Sequence, residues 1–290
     1  KASAVPGTVA GLLRAHQQYG KLSLNRILQP VIKQASEGIL VSYDLHNAIK
    51  STFQITLDEE TKSIFFNDKN VIRQNYILKR PDLALTLKEI AKNGEDAFYS
   101  GSIAKKIVKA MEQNGGFISL EDLENYEPRF SEPIFTYYRD YKVLAHPPPA
   151  GGASVLLESL NILENFQTPE LDPNSAKFLH LFAEALSRGH MDRSRYMGDP
   201  EFYDVPIQAI LSKNRAKNLA SKINHESATP PSKLDPNLLF KEGENTTHYS
   251  IIDKYGNAVS TTYTLGYSFG SGVTIPKTGI LLNNQMNNFA

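Results

Sequence analysis

With 290 residues, 41% of them hydrophobic and 21% charged, the chain suits a folded globular protein with a sizeable core in one or two domains. Its 31 basic and 31 acidic side chains cancel, which argues against the basic excess of a nucleic-acid-binding surface. The lack of cysteine excludes disulfides, thiolate metal sites and a cysteine nucleophile, and no apolar run approaches the ~20 residues needed to span a bilayer.

Lys1-Ala2-Ser3 before a Pro-Gly step does not read as a signal peptide. Spaced Val9, Leu12 and Leu13 predict a helix from about Thr8 to Tyr19, stopped by Gly20. Ser23 is placed to cap a second helix through Pro30 to Ala35, with Gly38 as its stop. Pro81 opens an amphipathic helix with Leu83, Leu87, Ile90 and Ala91 on one side, ending near Asn93-Gly94. Ile103 to Met111 repeats that pattern, and Ser119-Leu120-Glu121-Asp122 reads as a cap and first turn. Pro133 to Tyr138 and Tyr141 to Ala145 are rich in β-branched and aromatic residues and predict a hairpin around Arg139-Asp140. His146-Pro147-Pro148-Pro149 is extended on this reading, because proline lacks an amide donor and restricts the residue before it. It serves as a stiff turn or, alternatively, as a substrate contact. Gly151-Gly152 then releases the chain into a helix from about Ser154 to Asn165.

Ala176 to Tyr196 is the longest helical signal. Glu184, Arg188 and Asp192 are spaced by four, which predicts a ladder of ion pairs on one face. His180 shares that spacing with Glu184, but a zinc site needs a second histidine and a further ligand. Surface pairing is the expectation, with no metal and no cofactor. Ser227 to Gly243, with Pro230-Pro231 and Pro236, reads as a loop of roughly seventeen residues, a length that tends to be functional. From Thr246 onward the chain reads as β. Tyr249 to Ile252 and Ala258 to Thr264 flank a turn over Asp253 to Asn257. Gly266, Gly270 and Gly272 interrupt the next stretch as a bulged or strained strand end. Ile280-Leu281-Leu282 reads as a buried strand, and Asn283-Asn284-Gln285 as a polar stop placed to line a pocket.

The step Asn245-Thr246-Thr247-His248, entering a strand from a polar loop, suits a chain that cuts itself before Thr246. A hydroxyl is a poor nucleophile at neutral pH without an adjacent base. A threonine at a chain terminus carries its own, since an α-amine titrates at about 7.7–8.0. Making that terminus requires breaking the Asn245–Thr246 peptide. Attack of the Thr246 hydroxyl on the preceding carbonyl gives an ester that water hydrolyses, so one side chain serves both maturation and catalysis. The competing explanation is that Thr246 and Thr247 are merely β-branched residues filling a pleat.

The chain resembles the γ-glutamyltransferases of the N-terminal-nucleophile hydrolases nearly end to end. The resemblance is carried by Val5-Pro6-Gly7-Thr8-Val9-Ala10-Gly11, Asn114-Gly115-Gly116 and Pro147-Pro148-Pro149 before Gly151-Gly152. Asp192-Arg193-Ser194, Gly198-Asp199-Pro200, Thr246-Thr247-His248, Thr262-Tyr263-Thr264 and Gly279-Ile280-Leu281-Leu282-Asn283-Asn284-Gln285-Met286 come after them in order. It implies Thr246 as nucleophile, Thr264 as the second threonine bonded to it, and Gln285 and Asn288 at the substrate's α-amino end. Two positions depart from the pattern: Gly266 stands where many bacterial members carry Asn, and Asn288 where they carry Asp. Asn offers an ammonium group only a dipole, and charge-assisted bonds are roughly twice as strong as neutral ones.

The resemblance also implies an α+β fold, a four-layer αββα sandwich. Residues 1–245 would form a large-subunit portion and 246–290 the beginning of the small subunit, in one intertwined domain. The family's α-carboxylate arginine lies upstream and its serine and glycine pairs downstream, so an internal portion of a longer, periplasmic or secreted enzyme is expected. Its substrates would be γ-glutamyl amides such as glutathione, with water or an amino acid as acceptor. An amidase acting on a glutaryl or poly-γ-glutamyl donor is the alternative enzyme, and an unprocessed binding or scaffold homologue the alternative of another class.

Overall fold

A computed structural model describes residues 2–52, 58–67, 70–234 and 246–288, with the side chains at positions 169, 231 and 288 left aside. The chain divides into two compact units: Lys1–Arg129 with Glu242–Ala290, and Phe130–Lys241.

The first unit is a helical layer into which the C-terminal residues are sewn. Helices span Thr8–Tyr19, Leu24–Glu37, Pro81–Asn93 and Ser102–Asn114, close to the predicted bounds because the sequence carries their ends. Ser23 caps the second helix by accepting the Arg26 N–H, Pro81 starts the third, and Ser119 and Asp122 form a capping box. The apolar stripes of these helices meet around Ile90, Phe98, Ile103, Ile107 and Leu123. Ile275 and Leu282 are buried in that same cluster. A second cluster joins Val41, Ile49, Phe65, Ile72 and Leu78 to Phe269, whose ring meets Phe65 edge-on at 5.1 Å. Polar ties reinforce these contacts. Thr61 and Thr274 share a 2.7 Å hydroxyl bond, and the Thr86 hydroxyl donates to the Thr278 carbonyl at 2.8 Å.

The β content is a set of two-stranded antiparallel ladders among the described residues. Thr247–Ile252 pairs with Ala258–Tyr263, so the first strand begins at Thr247 rather than Tyr249. Its turn is held by Asp253, whose carboxylate accepts the Tyr255 and Asn257 N–H groups at 2.8 and 2.9 Å. Ile280–Leu281 pairs with Thr274–Ile275.

In the second unit the predicted hairpin forms between Ile134–Tyr138 and Tyr141–Ala145, with Arg139 and Asp140 both at positive φ. That geometry suits the right-handed twist of the flanking strands. The Pro147–Ala150 turn, closed by the Ala150 N–H on the Pro147 carbonyl, delivers a helix that begins at Gly151 rather than Ser154 and runs to Leu163. It packs with Ala176–Tyr196 and Lys213–Ala220 around Ile162, Leu181, Ala185 and Leu219.

The predicted surface ladder is corrected here. Glu184, Arg188 and Asp192 are all buried. Arg188 pairs with Glu184 at 2.6 Å, while Asp192 turns to Arg215, whose Nε donates to it at 2.8 Å. His180 bonds the Asn224 carbonyl instead of Glu184. Burial acts to raise the Glu184 carboxyl, but two bonds from Thr229 and the Arg188 pair outweigh it and hold it below the usual carboxylate value. A face of helix that reads as polar is buried because its charges find partners inside.

Glu158, on the neighbouring helix, is in the opposite position. It is 0% exposed. Neither of its carboxyl oxygens, nor Asp192 Oδ1, has a hydrogen-bond partner among the described residues. Arg215 Nε is 3.7 Å from Glu158 Oε1, so one guanidinium faces two buried carboxyl groups. A neutral Glu158 carboxyl balances that charge. Burial, then the neighbouring Asp192 carboxylate, push the Glu158 carboxyl from 4.5 to about 9 against the pull of Arg215. The unfolded chain therefore releases this proton first. The stabilising contribution is complete below about 4.5 and lost as pH rises through about 9. Within that window the slope is at most roughly 1.4 kcal/mol per pH unit. Glu158→Gln stays neutral, so it should flatten the alkaline fall in stability and exceed the native protein at pH ~8. Denaturant midpoints measured across the pH range check this; parallel curves for the two proteins would refute it.

Candidate active site

The register of the Thr247–Ile252 hairpin builds the site. Thr247 lies opposite Tyr263. Thr246 and Thr264 are the residues directly beyond that pair, at the open end of the ladder. Side chains alternate along a strand, so His248 and Ser250 share a face with their partners Thr262 and Ser260. Hydrogen bonds run along that face. The His248 ring reaches the Thr262 hydroxyl at 2.6 Å through Nδ1 and the Ser250 and Ser260 hydroxyls at 3.2 Å through Nε2. Thr246 is exposed and Thr264 half-buried. Both line an open cavity of about 340 Å³ with Thr247, Tyr263, Leu265, Tyr267 and Ser268.

The Thr264 side chain is fixed by the turn that begins directly after it. Its Oγ1 accepts the Gly266 N–H at 2.9 Å. This needs a tight turn, and Gly266 takes φ +92°, where a Cβ would stand 2.0 Å from Asn284 Oδ1. Asn284 holds the turn from the other side: its Oδ1 accepts the Tyr267 N–H and its own N–H reaches the Leu265 carbonyl, both at 2.8 Å. Gln285 is half-buried, and its Nε2 donates to the Thr264 carbonyl at 3.1 Å. Three of the predicted site residues, Thr246, Thr264 and Gln285, are thus gathered around one strand end. Asn245 lies outside the described residues. Asn288 ends the Gln285–Asn288 3₁₀ turn, and its side chain lies outside the described set.

Sequence reasoning left the locking role of Asn283 and Asn284 unassigned. They read as pocket-lining polar residues, yet both are buried and bonded to backbone. Two amides directly after an apolar strand were the available signal. Among the described residues no group of three or more His, Cys, Asp or Glu side chains could hold a metal, and no helix is long and apolar enough to cross a membrane.

The fold, helices together with antiparallel hairpins, is that of the N-terminal-nucleophile hydrolases, as two solved structures show. The chain is 33% identical to Helicobacter pylori gamma-glutamyltranspeptidase, with a TM-score of 0.76 over 84% of this chain and 71% of that one. It is 27% identical to a cephalosporin acylase from Bacillus halodurans, with a TM-score of 0.86 over 100% of this chain and 53% of that one. The gamma-glutamyltranspeptidase family model matches residues 1–290, and the chain belongs to that family. It is 42% identical to the glutathione hydrolase proenzyme of Escherichia coli (strain K12), matching over 100% of this chain and 50% of that protein, so it spans about half the length of that curated relative.

The turn that seats Thr264 depends on Gly270 as well. It has φ +53°, and a Cβ there would lie 2.0 Å from the Leu282 carbonyl oxygen. Backbone cannot rotate away as a side chain can, so Gly270→Ala should cost roughly 2 kcal/mol or more. Thermal denaturation of the variant checks this, and an unchanged midpoint would contradict the packing described.

Proposed function

We propose that the protein is a self-processing γ-glutamyl acyltransferase and hydrolase with Thr246 as its nucleophile. The observation that supports this is that Thr246 and Thr264, the residues just beyond the last Thr247–Tyr263 pair, line one open cavity. In maturation, the Thr246 hydroxyl attacks the Asn245 carbonyl and the peptide C–N bond breaks. The acyl group moves to oxygen and the nitrogen becomes a free amine. Water then hydrolyses the ester, leaving a carboxylate on Asn245 and a terminal Thr246. Residues 1–245 become the large-subunit portion and 246–290 the start of the small subunit, within a four-layer αββα sandwich.

In turnover, the new α-amine takes the hydroxyl proton as Thr246 attacks the γ-carbonyl of a γ-glutamyl amide such as glutathione. The leaving amine departs protonated. Water or an amino acid then resolves the γ-glutamyl ester and restores the hydroxyl. Thr264 orients the nucleophile, held in place by the Gly266 N–H. Gln285 and Asn288 face the donor's amine end. No cofactor enters this scheme. A periplasmic or secreted setting fits the family resemblance.

The likeness to a cephalosporin acylase favours a second reading, an amidase of the same mechanism acting on a glutaryl or poly-γ-glutamyl donor. Asn288 points the same way, because an amide there contributes no full charge to an ammonium group. Turnover of γ-glutamyl and glutaryl anilides separates the two: a γ-glutamyl enzyme prefers the first, and a reversed preference selects the amidase.

Intact mass of the full-length protein at neutral pH tests the proposal. Two fragments divided at Asn245–Thr246 are expected in the native protein, and one uncut chain in Thr246→Ala. A single uncut mass in both would overturn it and favour a binding or scaffold role. Thr264→Val should still cleave but turn over its donor about a hundredfold more slowly, the scale of effect of a misoriented reactant. Native turnover in that variant would remove Thr264 from the mechanism.

A further inference from the structure

Asn283 is only 7% exposed, and its carboxamide bonds main chain on two sides. Its Oδ1 accepts the Ala4 N–H at 2.9 Å, and its Nδ2 donates to the Ala4 carbonyl at 2.9 Å. The same Oδ1 accepts the Gln285 N–H at 3.0 Å. One residue further on, the Met286 N–H donates to the Ala2 carbonyl at 3.0 Å. Segments far apart in sequence, 2–4 and 283–286, are thereby laid side by side. Beyond them the Gln285 side chain reaches the Thr264 carbonyl. An unbroken path of hydrogen bonds runs from Ala4 through Asn283 and Gln285 to the strand end that carries Thr264.

The four-residue 3₁₀ turn at Gln285–Asn288 has too few internal bonds to fix its own position. Met286 and Asn287 are exposed, so packing does not fix it either. The bonding at its first two residues is what holds the turn. Removing the Asn283 carboxamide would leave two donors and one carbonyl without this partner at once, and each such loss in a shielded site is costly.

We propose that Asn283 is a positioning residue for donor binding: it straps residues 2–4 to the turn that presents Gln285, and so sets donor affinity more than the rate of the chemical step. This rests on the placing of Gln285 at the donor's amine end under the proposed function. The Thr264 hydroxyl is held by the Gly266 N–H, and Asn283 reaches Thr264 only at its carbonyl, through Gln285.

The test uses full-length protein carrying Asn283→Ala or Asn283→Asp. Four readouts are compared with the native protein: donor KM, kcat, self-cleavage rate and amide hydrogen exchange at residues 285–287. In Asn283→Ala, KM should rise about tenfold, the effect of losing a buried polar partner. Its kcat should stay within about twofold and its self-cleavage should match the native protein, while exchange at 285–287 accelerates. Asn283→Asp keeps the acceptor for both N–H groups but, when ionised, sets an oxygen against the Ala4 carbonyl, so its KM should also rise at neutral pH and recover as acid restores a donor. It carries the same comparison where the alanine variant does not fold. An unchanged KM overturns the proposal. So does an equal fall in kcat and self-cleavage with a lowered thermal midpoint, which marks a purely structural residue. A native protein that turns over no γ-glutamyl donor defeats the proposed function by itself. The exchange arm then decides the strap, and unchanged exchange in Asn283→Ala overturns it.

Discussion

The antiparallel pairing of Thr247 with Tyr263 is the constraint on which the site depends. This register brings residues 246 and 264, one step beyond it on either strand, to the rim of one cavity. A slip by one residue in either strand would turn its side chains to the other face. The hairpin does not hold itself in place, since its residues are almost all exposed. Its position is set by the segment after Thr264. Phe269, Ile275 and Leu282 are buried among helices from the first part of the sequence, and the turns at Gly266 and Gly270 link that buried segment to the strand end. This arrangement bears on the proposed break before Thr246. Residues after the break are held by buried apolar contacts and by bonds such as Thr61–Thr274, so the two pieces would stay assembled without the peptide that joined them.

Both units solve the burial of polar groups, by different means. In the first, the amides of Asn283 and Asn284 bond to backbone near the strand end, where the chain must turn tightly and cannot pair as a ladder. In the second, ionic groups satisfy one another on the inner face of the Ala176–Tyr196 helix. Glu184 is bonded by Arg188 and Thr229. Asp192 shares Arg215 with Glu158, and there the charges do not balance unless a proton stays bound. A buried pair that is fully bonded remains charged, while a carboxyl short of partners is better neutral.

Much of the helical layer was legible from single residues. Ser23, Pro81 and Ser119 mark helix starts by the amides they cap or replace, and Gly20, Gly38 and Gly94 mark the ends. The hairpin around Arg139-Asp140 was legible because β-branched and aromatic residues flank it on both sides, and both turn residues take positive φ. Spacing misled where polarity was taken for exposure. Glu184, Arg188 and Asp192 have the periodicity of a surface ladder, and only Arg215 and Thr229, distant in sequence, explain their burial. Thr246, Thr264 and Gln285 were legible as a set through family resemblance, with roles that remain proposals. The buried bonding of Asn283 was not, since its partner Ala4 lies at the other end of the chain.

The sequence by itself determined the ends of the capped helices, that a hairpin comes after Thr246, and which family the chain belongs to, because caps, turns and motifs act over a few residues. Only the tertiary structure decided which polar residues are buried, that the two threonines line one cavity, and what pins Gln285 beside Thr264. Those outcomes depend on partners brought together from distant parts of the chain, and residue spacing along one element holds no record of them.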